Sequence, residues 1–146
     1  MMMLTIPTAR ALGVSNRIDV VESTRGGARY LTRLRDRLPE TIEGEDRWWF
    51  AAASYNLGWG HVSDARALAA RLGRNPNIWA EVSEILPLLE DPAYYEELRH
   101  GHARGNEGQT YVLRIRDFAD MLEKRFDVAE THLAANEEAE AEVSAN

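Results

Sequence analysis

Residues 48–60 read WWFAAASYNLGWG, a helix-like run that is apolar on nearly every side. A helix without a polar face belongs inside a fold rather than on its surface. Near its end the run sets Tyr55 beside Asn56. A phenol and a carboxamide in such a helix need partners from protein, water or ligand. The stretch therefore predicts a central helix whose last turn offers polar groups to a cleft.

Outward from it, helical periods continue and strand signals are weak. There is no sustained alternation and no Asn-Gly or Asp-Gly hairpin. Residues 7–12 predict a short helix stopped by Gly13. Ser23 or Thr24 is expected to cap a second helix, with Ala28, Leu31, Leu34 and Leu38 on one stripe until Pro39. After the apolar run, Ser63 is expected to cap a helix over 64–72, ended by Gly73. Asn75-Pro76 opens another, with Ile78, Val82, Ile85 and Leu89 on one face and Pro87 as a breaker. Asp91-Pro92 begins a short segment carrying Tyr94 and Tyr95. Residues 100–108, with Gly101, Gly105 and Gly108, read as a loop. A last helix carries Tyr111, Ile115, Phe118, Leu122 and Phe126 at three- and four-residue steps.

The chain's 146 residues suffice for one domain with a real core. It has no cysteine, so neither a disulfide framework nor a thiolate metal site is available. The net charge of −7 is unevenly placed. Residues 127–146 hold six acids and no Lys or Arg, leaving 18 acids against 17 bases in the body. No basic stripe exists to neutralise phosphates, which argues against nucleic acid. No stretch approaches the ~20 apolar residues of a membrane span. The start, MMMLTIPTARALG, has no basic n-region, and Pro7 and Arg10 break its apolar run, so it is not a secretory signal.

Several segments together resemble the lytic transglycosylases, lysozyme-like enzymes that cut peptidoglycan. Met1 to Thr5, followed by Pro7-Thr8-Ala9, resembles the end of their G-L-M-[QM]-[IL] segment and the P-x-T-A helix after it. Ser54-Tyr55-Asn56 resembles their A-Y-N motif, with Ser in the Ala position. Tyr111-Val112, then Ile115, resembles their late Y-V-x-x-I segment. Gly26 to Leu31, Ala103 to Glu107, and Met3 where most branches have Gln are similar to the membrane-bound F branch. Each string alone is weak; their order and spacing from Met1 to about Leu122 are specific.

The resemblance implies an all-α, lysozyme-like domain, incomplete at its N-terminus, over residues 1–126, with an acidic tail over 127–146 expected to be frayed or disordered. It also implies a chemistry. These enzymes cleave the bond between N-acetylmuramic acid and N-acetylglucosamine. One Glu protonates the departing oxygen, then acts as base while the muramyl 6-hydroxyl closes on C1 to give a 1,6-anhydro end. No second carboxylate is required, unlike the usual two-carboxylate scheme. That Glu must be kept protonated by an apolar setting. In the family it lies in an E-S motif upstream of G-L-M, and no Glu of this sequence matches it. The acid is therefore expected upstream of Met1. A loop position flanked by glycines makes Glu107 a poor proton donor and a tentative substrate-binding residue.

By resemblance, Met2 and Met3 would bring backbone groups and thioether surface to the sugar. Asn56 would hydrogen-bond an N-acetyl or hydroxyl group, Tyr55 would pack beneath it or orient the acid, and Tyr111 would bond near the acid. Plain structural readings stand beside these. Tyr111 shares a stripe with Ile115 and Phe118, Tyr55 would serve as a core anchor, and Met1 to Leu4 would serve as core. A core Asn56 is harder to explain, because its hydrogen bonds must be met. Trp48, Trp49, Trp59 and Trp79 read as core more than as sugar platforms. His61, His100 and His102 lack metal-ligand spacing and read as surface residues.

The expected partners are peptidoglycan glycan strands, in the periplasm or at the outer membrane, with no cofactor and no metal. A segment missing from beside the apolar helix is expected to leave an apolar patch and self-association. The rival expectation is a non-catalytic peptidoglycan-binding or interaction protein.

Overall fold

A computed structural model describes the backbone of residues 4–144 and the side chains of residues 4–127. Among the described residues every regular element is helical, as expected. The order is α1 (Ile6–Ala11), α2 (Val20–Arg37), α3 (Asp46–Leu57), α4 (Trp59–Arg71), α5 (Trp79–Ser83), a 3-10 helix (Leu86–Glu90), α6 (Pro92–Tyr95) and α7 (Gly105–Ser144). The chain divides into two compact units, Met1–Val112 and Leu113–Asn146. The boundary thus falls before Leu113, whereas composition alone places one after residue 126.

In the first unit α3 is the axis. Phe50, Ala51, Ala52, Ala53 and Ser54 are all buried, with α2, α4 and α5 packed around them. The expected bare side of this helix is not seen among the described residues. Three consecutive alanines explain the enclosure, since small side chains let neighbouring helices approach from every direction. The run does not extend to Gly60 as one helix. Gly58 stands at φ +94°, a left-handed conformation that suits glycine, and α4 restarts at Trp59. Trp79 meets Phe50 edge to face at 5.3 Å between centroids, while Trp48 lies at the surface under the Arg35 guanidinium.

Polar side chains close the corners. Asp19, not Ser23 or Thr24, caps α2, its carboxylate accepting from the Glu22 N–H at 2.7 Å. Ser23, Gly26 and Gly27 are all buried on one face of α2, so the helix begins a turn before Ser23. Glu22 folds back and accepts from the N–H groups of Ser15 and Asn16 at 3.1 and 3.0 Å. Arg47, in the first turn of α3, donates to the carbonyls of Arg35, Leu38, Pro39 and Ile42. It thereby ties the C-terminal end of α2 and the loop after it to the start of α3.

The second unit is a helical segment. Leu113, Phe118, Met121, Leu122 and Phe126 in it are exposed. Helix continues to Ser144, through the acidic stretch expected to fray. Alanine and glutamate are strong helix formers, which favours helix there without an apolar stripe.

Candidate functional site

Two short stretches of the first unit meet at the site: the end of α3 with the start of α4, and the turn leading into α7. Their approach depends on missing side chains. A Cβ on Gly108 would lie 2.5 Å from Leu57, and one on Gly105 would lie 1.6 Å from the Leu86 carbonyl oxygen. The stretch read as loop therefore becomes helix at Gly105. Gly105 and Gly108 serve close packing, whereas Gly101, at φ +69°, serves the turn. Hydrogen bonds fix the same junction, from Gln109 to the Ser83 carbonyl, from the Asn106 N–H to Glu90 and from the Ala103 N–H to the Leu89 carbonyl.

Between these stretches lies an open cleft of about 470 Å³, lined by Asn56, His61, His102, Arg104 and Glu107 among others. Two of the expected site residues, Asn56 and Glu107, thus share one cleft. Asn56 is exposed rather than buried. Solvent therefore meets the hydrogen bonds that a core amide would leave open, and the side chain can face a ligand. Glu107 is also exposed, 3.4 Å from the Arg104 guanidinium. These are the surroundings of a hydrogen-bond acceptor, not the apolar setting that a proton donor needs.

The two expected tyrosines, Tyr55 and Tyr111, come together one step along the same helices. Burial pushes the Tyr55 phenol above its ordinary value, with the nearby Tyr111 and Tyr30 hydroxyls adding to the effect. Burial pushes Tyr111 up as well. Both remain neutral phenols with a proton to donate at physiological pH. Tyr55 also packs with Tyr30, at 5.5 Å between ring centroids, against Leu4, Ala9, Leu12 and Val14. It is a core anchor immediately before the cleft residue Asn56. Met2 and Met3 lie outside the described residues.

Of the three histidines that read as surface residues, His100 and His102 are exposed, whereas His61 is half-buried. Asp64, only 6% exposed, accepts from the His100 backbone N–H at 2.7 Å and lies 3.1 Å from its Nδ1. The His100 ring in turn meets His61 at 6.0 Å, close to edge-on. The His61 Nδ1 is enclosed and has no hydrogen-bond partner. Burial lowers the His61 pKa, His100 and His102 lower it further, and Asp64 opposes them. No set of three or more metal-binding side chains occurs among the described residues. The sequence signal was slight, since nothing in the string predicts that the turn before α7 folds back over α4.

Comparison with known proteins adds a family. Residues 1–78 match the family described as "Transglycosylase SLT domain". The chain is 51% identical over 122 residues, 84% of its length, to a Shewanella woodyi protein named membrane-bound lytic murein transglycosylase F, covering 25% of that protein. Relatives bearing the same name in Shewanella loihica and Maricaulis maris are 52% and 51% identical over the same share of the chain, which covers 26% and 27% of them. The chain thus spans about a quarter of the length of the curated relatives it matches.

Proposed function

The chain belongs to the transglycosylase SLT family of lysozyme-like, all-α domains, and from that premise we propose that it forms the glycan-binding wall of a peptidoglycan lytic transglycosylase. The observation that carries this reading is the pairing of Tyr55 and Asn56 at the end of α3 with Tyr111 and Glu107 at the start of α7. Asn56 and Glu107 supply an amide and a carboxylate for acetamido and hydroxyl groups. Tyr55 and Tyr111 are protonated phenols that orient the acid and the bond being cut. By the family resemblance, Met2 and Met3 are proposed to bring backbone groups and thioether surface to the sugar.

In the reaction, a glutamic acid gives its proton to the departing glycosidic oxygen. The same carboxylate then takes the proton of the muramyl 6-hydroxyl as that oxygen bonds to C1. The proton count closes without water, and the product is a 1,6-anhydromuramyl end. The acid is proposed to come from a segment N-terminal to Met1, because in the family it lies in an E-S motif upstream of G-L-M and no Glu of this sequence matches that motif. The setting is the cell envelope, at the periplasm or outer membrane. No described helix is long and apolar enough to cross a membrane.

One observation favours a second reading, a non-catalytic peptidoglycan-binding module: the one carboxylate buried among the described residues, Asp64, is already engaged by His100. Digestion of purified peptidoglycan separates the two. The chain is compared with a form extended N-terminally by the corresponding segment of a relative, and products are read by mass spectrometry. Anhydromuramyl ends from the extended form alone support the enzyme. Binding without product from either form supports the module. Asn56→Ala should weaken binding of N-acetylglucosamine oligomers by about 1–2 kcal/mol. Being exposed, it should change stability by less than about 0.5 kcal/mol.

A further inference from the structure

The histidine beside Asn56 has one nitrogen enclosed and one open. His61 lines the cleft, yet its Nδ1 is sealed from solvent and unpaired. A neutral imidazole carries its proton on one nitrogen and a lone pair on the other. Enclosing an unpaired N–H costs more than enclosing an unpaired lone pair, because orphaned donors are the rarer of the two in proteins. The proton therefore belongs on Nε2. That nitrogen has no hydrogen bond within the described protein and is not among the enclosed atoms. It is a donor without a protein acceptor at the wall of a cleft.

The ring is also held in place. The His100 ring buttresses it at 6.0 Å, and Asp64 fixes His100 through both backbone and side chain. Gly60 makes the buttress possible, since a Cβ there would stand 2.5 Å from the His100 ring. A chain of contacts from a buried carboxylate thus sets the direction of one N–H. The titratable and charged groups around it are His100, Asp64, His102, Arg104 and Glu107. Asp64 lies outside the cleft lining, where Arg104 and Glu107 offset one another, so with neutral imidazoles the lining side chains carry no excess charge. That suits an uncharged ligand rich in carbonyl and hydroxyl oxygens.

We propose that His61 is a sugar-positioning residue, whose Nε2–H donates to a carbonyl or hydroxyl oxygen of the acetamido sugar that Asn56 and Glu107 contact. The inference rests on the glycan-binding reading and adds to it a donor and its tautomer. Its role is to set the register of the sugar chain in the cleft, not to move protons.

Chitotetraose, an uncharged acetamido-sugar oligomer, serves as the probe. It is titrated by calorimetry into the wild-type chain, H61Q, H61F and N56A, each checked for folding by circular dichroism. Gln offers an N–H near the position of Nε2, whereas Phe keeps the ring and removes the donor. H61F should lose about three- to tenfold in affinity, the weight of one hydrogen bond, and H61Q should stay within about twofold of wild type. Long-range ¹H–¹⁵N spectra of the wild-type chain should show His61 protonated at Nε2 when neutral, with a shift of that nitrogen on binding. Wild-type affinity in H61F together with weakened N56A overturns the inference and leaves the glycan-binding reading standing. An Nδ1–H tautomer, or an Nε2 unmoved by saturating ligand, also overturns it and needs no variant. Failure of the wild-type chain to bind chitotetraose overturns both.

Discussion

Ser54 sits in the last turn of α3 with no exposure, and its hydroxyl has no hydrogen-bond partner. An enclosed, unpaired hydroxyl costs about 1–3 kcal/mol relative to one that is paired. Ser54→Ala should therefore stabilise the chain by about 1 kcal/mol, read as a higher urea midpoint at unchanged slope. His61 makes a prediction of opposite kind. Its folded pKa is lowered from the ordinary 6.5, chiefly by burial and then by His100. Below that ordinary value the unfolded chain takes up a proton that the folded one resists, so stability falls as pH drops toward the folded value. His61→Gln should flatten this part of the acid slope, seen by comparing urea midpoints at about pH 7.5 and 5.5. Tyr55 and Asn56 were legible in the sequence because an apolar run makes any polar pair conspicuous. His61 was not, because its meaning lies in contacts with His100 and Asp64 from across the fold.

Among elements, the seating of α7 on its neighbours is the most demanding. Gly105 faces a backbone carbonyl and Gly108 faces a leucine side chain. A carbonyl cannot yield without moving its whole segment, whereas a side chain can change rotamer. Gly105→Ala should thus cost about 3 kcal/mol or more. Gly108→Ala should cost less, since alanine's helix propensity returns up to about 1 kcal/mol. Thermal denaturation of the two variants tests the order, and a milder effect at Gly105 would refute the packing account. Arg47 is the second demanding element contact, bonding four carbonyls at the α2–α3 corner. Helix periods and breakers were readable here, including Gly13, Gly73 and the capped Pro92 segment. The role of Gly105 was not, because a glycine at a turn and a glycine under a carbonyl look alike in a string of letters.

For the molecule as a whole, the apolar surface on view is not where the sequence suggested. The α3 helix is enclosed, while Phe118, Met121, Leu122 and Phe126 stand exposed along the second unit. Contiguous exposed apolar residues promote association. Sedimentation should accordingly show concentration-dependent association of the chain, reduced by Phe118→Glu combined with Leu122→Glu. Unchanged sedimentation of that variant would assign the association elsewhere. The stripe itself was legible from its spacing, but which stripes become covered is decided by tertiary packing, which periodicity does not report. The clamp between Asp64 and His100 has a practical consequence at this scale. The His100 amide hydrogen ends on a nearly buried carboxylate although its residue lies in an exposed turn. In such a turn most amide hydrogens trade with solvent quickly, whereas this one can do so only when the turn lifts away from α4. Its deuterium uptake is a built-in gauge of how often that wall of the cleft swings open.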